Sequence, residues 1–342
     1  MHTLRLLIRL LIALLLAALA VPKAQTLALG AGVIVPPGFR VDLYAGGLTS
    51  PTAMSFGPDK RLYVSQADGH ILAIGNHRIV RVASGFATPL GLTWYGRRLF
   101  VSSTGTVSTL TPSRGFSRFA RRDIITGLPT GRHQNDGLVF HGGWIYLGVG
   151  STRDACRERN PRSATIMRFR PDGTRGQIYA HGLRNPYGLA IQPGTGRLYA
   201  TDNGRDDHDD QVPDELNRIV PGGRYAFPSC WGNGGGTGCR GTIAPVALFE
   251  PHSSADGLCF YSGRTFPARY RGDAFVAEWG ATVGAAATGH RVKDVHFSSN
   301  RVTTSDFATG LQHPLAVVNA RDGSLLIADY GTGIIWHVHA AR

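Results

Sequence analysis

The sequence predicts an all-β fold, a six-bladed β-propeller of four-stranded antiparallel sheets. Three observations carry this. Gly (45) and Pro (19) supply 64 of 342 residues, and both disfavour helix interiors, which argues against a helical bundle. One hairpin pattern recurs six times. The copies start at residues 54, 92, 138, 189, 258 and 317, at spacings of 38 to 69 residues. A four-stranded propeller blade needs roughly 40–50 residues.

Each copy is an apolar strand, a Gly-containing turn and a second apolar strand with a polar end, which is a hairpin signature. The first runs from Met54-Ser55-Phe56 through GPDKR to LYVSQ. The second runs from Leu92-Thr93-Trp94 through YGRR to LFVSS. The third joins Leu138-Val139-Phe140 through HGG to WIYLGVGS, and the fourth Leu189-Ala190-Ile191 through QPGTGR to LYATDNG. In the fifth, Leu258-Cys259-Phe260 reaches AFVAEWG through a longer insert. The sixth runs from Val317-Val318-Asn319 through ARDGS to LLIADYG. A solenoid needs a stricter period, and a sandwich does not repeat one hairpin six times. A single ring over residues 21–342 uses the length without a second domain. The wider spacings mark inserted loops, chiefly around residues 203–256.

Residues 1–20 precede the ring. Arg5 and Arg9 give a positive start, Leu10 to Ala20 is apolar, and Ala18-Leu19-Ala20 offers a small-x-small cleavage site. The segment reads as a signal peptide, with an uncleaved anchor as the alternative. The apolar run is short for a membrane span and has no second copy, so no stable span is expected after cleavage. A periplasmic or secreted location follows, in which disulfides are permitted. Cys230 and Cys239 flank the loop WGNGGGTG and are expected to pair. Cys156 and Cys259 either pair or stay reduced. No CxxC or HxxxH spacing supports a zinc site.

The net charge is +13, from 36 Lys+Arg against 23 Asp+Glu. Only Lys23, Lys60 and Lys293 are Lys, and the Arg residues are scattered rather than gathered into a stripe. That excludes the usual nucleic-acid footprint. No GxSxG elbow, Walker loop or dinucleotide fingerprint is present.

Three polar segments lie where propeller ligands sit, on loops between blades. His133, in GRHQNDGLVF, precedes an inner strand, and an imidazole there can accept a proton near neutral pH. Arg184 and Asn185, in GLRNPYGLAI, offer a guanidinium fork and a mixed donor–acceptor amide. Residues 201–217, TDNGRDDHDDQVPDELN, concentrate hard oxygen ligands suited to Ca²⁺, or else form a solvated acidic loop.

Together these segments resemble the soluble quinoprotein glucose/sorbosone dehydrogenase family, from about Gly38 to Val338. HGLRNPYGLAI, the run TDNGRDDHDDQVPDELNRIVPGGRYAFPSCWG and PHSSADGLCFYSGRTFPARYRGDAFVAEWG occur in the family's order. The resemblance implies a propeller that binds pyrroloquinoline quinone (PQQ) and calcium. It implies oxidation of an aldose sugar or related aldehyde, with an external electron acceptor. His133 then matches the general base. Gln134, Arg184 and Asn185 match cofactor-facing residues, and Gly204 and Arg205 match the positions whose backbone carbonyls hold calcium. Three segments depart from the pattern. No Lys stands near EWGATVG, His313 and Leu315 replace the last blade's Arg residues, and the second-blade Gln is missing near PLGLTW. A non-catalytic sugar-binding or structural propeller and a calcium-dependent lactonase-like hydrolase are the alternative readings.

Overall fold

The structure is a computed structural model that describes residues 32–341 apart from His77, Asp209, Asp210, Ala226, residues 282–287 and Asn300. The segment read as a signal peptide lies outside the described residues. Six sheets form the ring, each built on four antiparallel strands. The first blade comprises Pro51–Phe56, Leu62–Gln66, Ile71–Gly75 and Arg78–Ala83, and the second Gly91–Tyr95, Arg98–Ser103, Thr106–Pro112 and Phe119–Ile125. Asn135–His141, Trp144–Val149, Thr165–Phe169 and Gln177–His181 build the third. The fourth uses Leu189–Ile191, Leu198–Asp202, Asp214–Ile219 and Ala247–Phe249, and the fifth Ala255–Phe260, Ala274–Glu278, Arg291–Phe297 and Val302–Ala308. The sixth takes Pro314–Asn319, Leu325–Asp329 and Ile334–Ala340 from the end of the chain and Phe39–Ala45 from its beginning.

Burial explains the sequence pattern within a blade. The first strands line a central channel of about 360 Å³ through residues such as Met54, Leu92, Leu138, Leu189, Leu258 and Val317. The second strands, Leu62–Gln66, Leu198–Asp202, Ala274–Glu278 and Leu325–Asp329, are buried throughout. They are covered by neighbouring blades on both faces and so read as continuous apolar runs. Outer strands such as Arg78–Ala83 and Phe119–Ile125 are mostly exposed and mix charged residues with apolar ones, of which Ile79 and Val80 face water. Apolar side chains of adjacent blades interlock, as where Phe100 and Val107 meet Leu138, Ile145 and Leu147.

The expected insert lies between Asp214–Ile219 and Ala247–Phe249. It adds Gly223–Arg224 as a parallel fifth strand to the third blade and a small hairpin, Cys230–Trp231 with Gly235–Gly236. The Cys230–Cys239 disulfide is formed. Cys156 and Cys259 do not pair: Cys259 is buried and Cys156 exposed. Among the described residues no helix is long and apolar enough to cross a membrane.

Candidate active site

One rim of the ring gathers the polar loops because each blade's first two strands form a hairpin. The chain enters the first strand and leaves the second at the same edge. His133 enters the third blade and Arg184-Asn185 the fourth, while Ser151 and Asn203 leave the corresponding second strands. Backbone bonds stitch these points together: His133 N–H to Ser151 O (3.1 Å), Ser151 N–H to Arg184 O (2.7 Å) and Asn203 N–H to Asn185 O (3.4 Å).

A cleft of about 210 Å³ opens on this rim, lined by residues that include Arg132, His133, Arg184, Asn185, Gly204 and Trp279. A second cleft of similar size shares Arg132, His133 and Asn185 with it. His133 Nδ1 lies 3.1 Å from Ser151 O and 3.0 Å from Ser151 Oγ. Ser151 Oγ already donates to Arg153 O at 2.7 Å. Both contacts are therefore acceptors, so Nδ1 carries the proton and Nε2 the lone pair. Burial, aided by the charges of Arg184 and Arg132, pushes the His133 pKa down to about 3. The ring is neutral at physiological pH.

Arg184 is almost fully buried. Its guanidinium bonds Asp154 O (3.1 Å), Asn203 O (3.2 Å), Asp154 Oδ1 (2.6 Å) and Asp206 Oδ2 (2.9 Å). Burial is the largest single influence on Asp154 and opposes its charge, but the bond and charge of Arg184, the Asp206 N–H and the Arg132 charge together hold that carboxyl below its usual range. Arg132 also pairs with Asp206. Asn185 Nδ2 donates to Asn203 Oδ1 at 2.8 Å, while Asn185 Oδ1 is buried with no partner. A Cβ at Gly150 would stand 2.5 Å from His133 Cβ and 2.9 Å from that same oxygen. Glycine is what lets His133 and Asn185 approach each other.

Gln134 lines the second cleft, where its amide accepts from Thr104 Oγ1 (2.5 Å) and donates to Thr88 O (2.9 Å). Gly204 lines the first cleft, and its N–H is held by Asp214 Oδ1 at 2.7 Å. The Arg205 side chain turns to Asp207 and Pro228 O. Among the described residues, neither the Gly204 nor the Arg205 carbonyl accepts a hydrogen bond.

The acidic loop works mainly as a brace. Asp202 accepts from the N–H groups of Arg184 (3.0 Å) and Asn185 (2.6 Å). Asp214 accepts from Gly204 and from Ala255 N–H (3.0 Å), and Glu215 from Gly232 N–H (2.6 Å). Burial raises the pKa of Asp202 and Asp214, and pushes Glu215 up to about 6. Among the described residues these carboxylates do not converge in threes. Among the described residues of the loop, backbone oxygen is left for a cation at Gly204 and Arg205.

Sequence reasoning passed over the channel mouth. Asp136, Tyr187 and Asp256 stand at one position of the third, fourth and fifth blades, each just before a first-strand glycine. Asp136 Oδ2 and Tyr187 OH are buried without partners. Burial raises all three pKa values well above their usual ranges, helped by the Asp256 charge at Asp136 and Tyr187 and by the Asp214 charge at Asp256. The repeated Asp-Gly-Leu at 136–138 and 256–258 was the available signal.

The chain is similar to known proteins over most of its length. A protein of unassigned function from Borreliella burgdorferi is 22% identical, over 89% of this chain and 90% of that protein. The holo PQQ domain of pyranose dehydrogenase from Coprinopsis cinerea superposes with a TM-score of 0.77 at 18% identity, covering 90% of this chain and 97% of that one. The PQQ-bound aldose sugar dehydrogenase of Streptomyces coelicolor gives 0.71 at 21% identity, over 90% and 100%. These likenesses show a shared fold. Residues 129–337, which contain the whole rim from His133 to Trp279, match the family model for glucose/sorbosone dehydrogenase, and the chain belongs to that family.

Proposed function

We propose that this chain is an exported quinoprotein oxidoreductase that oxidises an aldose sugar or related aldehyde, using PQQ and Ca²⁺ and an external electron acceptor. The observation that carries this reading is the neutral His133, its Nε2 left with the lone pair, on the wall of a cleft shared with Arg184 and Asn185. Family membership and the fold likeness to PQQ-bound sugar dehydrogenases support it.

The residues present fit both groups. Arg132 and Arg184 bring two guanidinium groups to the cleft, paired with Asp154 and Asp206, as the cationic partners an anionic quinone would meet. Asn185 lines the cleft, and its Oδ1 is a buried acceptor without a partner among the described residues. Trp279, stacked on His313 at 4.0 Å, offers a flat aromatic wall. The bare carbonyls of Gly204 and Arg205 are the hard oxygens calcium takes. When bound, PQQ supplies a hydride acceptor that no side chain provides, and calcium polarises it.

The chain's own part is proton handling and positioning. His133 takes the substrate hydroxyl proton at Nε2, and Ser151 O and Oγ stabilise the imidazolium through Nδ1–H. Asp154 and Asp206 hold the Arg184 guanidinium in one orientation, so its charge faces the site without reorganisation. A binding propeller without redox chemistry is the second reading. The saturation of Arg184 by protein partners and the missing Lys favour it.

The test is titration of purified protein with PQQ and Ca²⁺, followed by dye reduction with a panel of aldoses. Saturable PQQ binding with sugar-dependent reduction is expected. Binding of sugars without any PQQ binding or reduction overturns the reading in favour of the second. His133→Ala separates the roles, with PQQ binding within a few fold of wild type and kcat lower by about 10²–10⁴.

A further inference from the structure

Away from the rim, the strands Phe39–Ala45 and Ile334–Ala340 close the ring by pairing antiparallel, with Asp42 directly opposite His337. His337 and His339 are two residues apart on one strand and so share a face. Their ring centroids are 5.1 Å apart. One ligand atom from each of Asp42, His337 and His339 lies within 4.8 Å of the others.

The hydrogen bonds prepare both imidazoles as ligands. His339 Nδ1 faces the Ala340 carbonyl at 3.2 Å, while Nε2 lies 2.7 Å from Asp42 Oδ2. Both neighbours are acceptors. A neutral imidazole has one N–H, so this arrangement is satisfied only by a second proton or by a metal ion shared between Nε2 and Asp42. His337 Nε2 lies 2.6 Å from Ser324 Oγ and 3.2 Å from Asp322 Oδ2. Ser324 spends its own proton on Asp322. Nε2–H of His337 therefore donates, which leaves Nδ1 with the lone pair. A ligand histidine oriented by a carboxylate is the usual outer shell of a zinc site.

We propose that Asp42, His337 and His339 bind a divalent transition-metal ion of the zinc class, which clips the first strand of the chain to the last. Two imidazoles and one carboxylate suit Zn²⁺ with water as fourth ligand. Ca²⁺ prefers six or more oxygens and is not served here. The site takes ligands from both ends of the chain, so the ion stabilises only the closed ring. Sequence scanning for CxxC and HxxxH missed it because His-x-His places ligands together only on a strand, and the third ligand is 297 residues away from His339.

Chelator-treated, untagged protein titrated with Zn²⁺ in a calorimeter is expected to bind one equivalent. Free Zn²⁺ at a hundred times Kd should raise Tm by about 4 °C for a ring of this size. His339→Ala and Asp42→Ala should each weaken binding at least about tenfold and remove most of the rise. His70→Ala, at an exposed His–Asp pair elsewhere, should leave both unchanged. Far-UV circular dichroism establishes that each variant is folded. Any Tm response to Ca²⁺, which the rim is proposed to take, should be kept in full by the His337→Ala/His339→Ala variant. The proposal is overturned if wild type binds no Zn²⁺, or if a folded His337→Ala/His339→Ala variant binds it as wild type does. A Ca²⁺ response that the folded His337→Ala/His339→Ala variant loses along with the Zn²⁺ response also overturns it.

Discussion

At the scale of single residues, His133 sets the pH behaviour. Its folded pKa of about 3 lies below the ordinary 6.5. Above pH 6.5 both folded and unfolded chains hold it neutral, and nothing is lost. Below that, the unfolded chain gains a proton that the folded one refuses. Stability from this residue then falls by about 1.4 kcal/mol per pH unit until about pH 3. The buried carboxylates act in the opposite sense, so the check is a comparison. His133→Gln should show a shallower loss of stability than wild type between pH 6 and 4 in urea melts. An anionic ligand against Arg132 and Arg184 cancels two of the causes that depress the imidazole. His133 should therefore titrate at higher pH in PQQ-loaded than in unloaded protein, read by NMR of the ring protons. Arg184→Met leaves Asp154 and Asp206 without their buried partner, and should cost about 3–5 kcal/mol in denaturant unfolding. His133, Arg184 and Asn185 were visible in the sequence because each sits in a polar run before an apolar strand. Of their orienting partners, Ser151 and Asp154 were not, and Asp206 was visible only as one acid of the loop at 201–217. They come from loops of other strands, and only folding brings them within bonding distance.

At the scale of elements, the hairpins were legible and the outer strands were not. An inner hairpin packs between neighbours and must alternate or run apolar, whereas Arg78–Ala83 and Phe119–Ile125 face water and leave little pattern. The acidic loop was legible as a site but not in its role. Asp202 and Asp214 spend their oxygens on backbone N–H groups, a use that charge counting does not reveal. Its disulfide-bearing neighbour closes a loop of 9 residues' separation. By loop entropy, Cys230→Ser/Cys239→Ser should lose about 2.5 kcal/mol, measured by chemical denaturation with and without reductant. Gly150→Ala should act on function rather than folding. The added methyl displaces His133 and Asn185, so kcat should fall by at least about tenfold while Tm changes by only a few degrees.

For the whole molecule, the number of blades was legible, but the closure was not. Nothing local in Phe39–Ala45 announces a partner at the far end of the chain. Phe39 meets Phe266, Tyr270 and Phe307 edge-on at 4.7, 5.3 and 5.2 Å. Phe39→Ala should cost about 3 kcal/mol. Deleting residues 1–45 leaves the edge of Ile334–Ala340 unpaired, and size-exclusion chromatography should then show aggregate in place of monomer. The axis is secured differently. A Cβ at Gly91, Gly137, Gly188 or Gly257 would come within 2.2–2.4 Å of a carbonyl oxygen of the next blade. The bore of the ring is thus gauged by main chain against main chain, independently of what the rim loops carry. Such a barrel can exchange its rim chemistry without changing its calibre. That independence lets a rim that departs from the resembled pattern near EWGATVG, HPLAVV and PLGLTW sit on an intact frame.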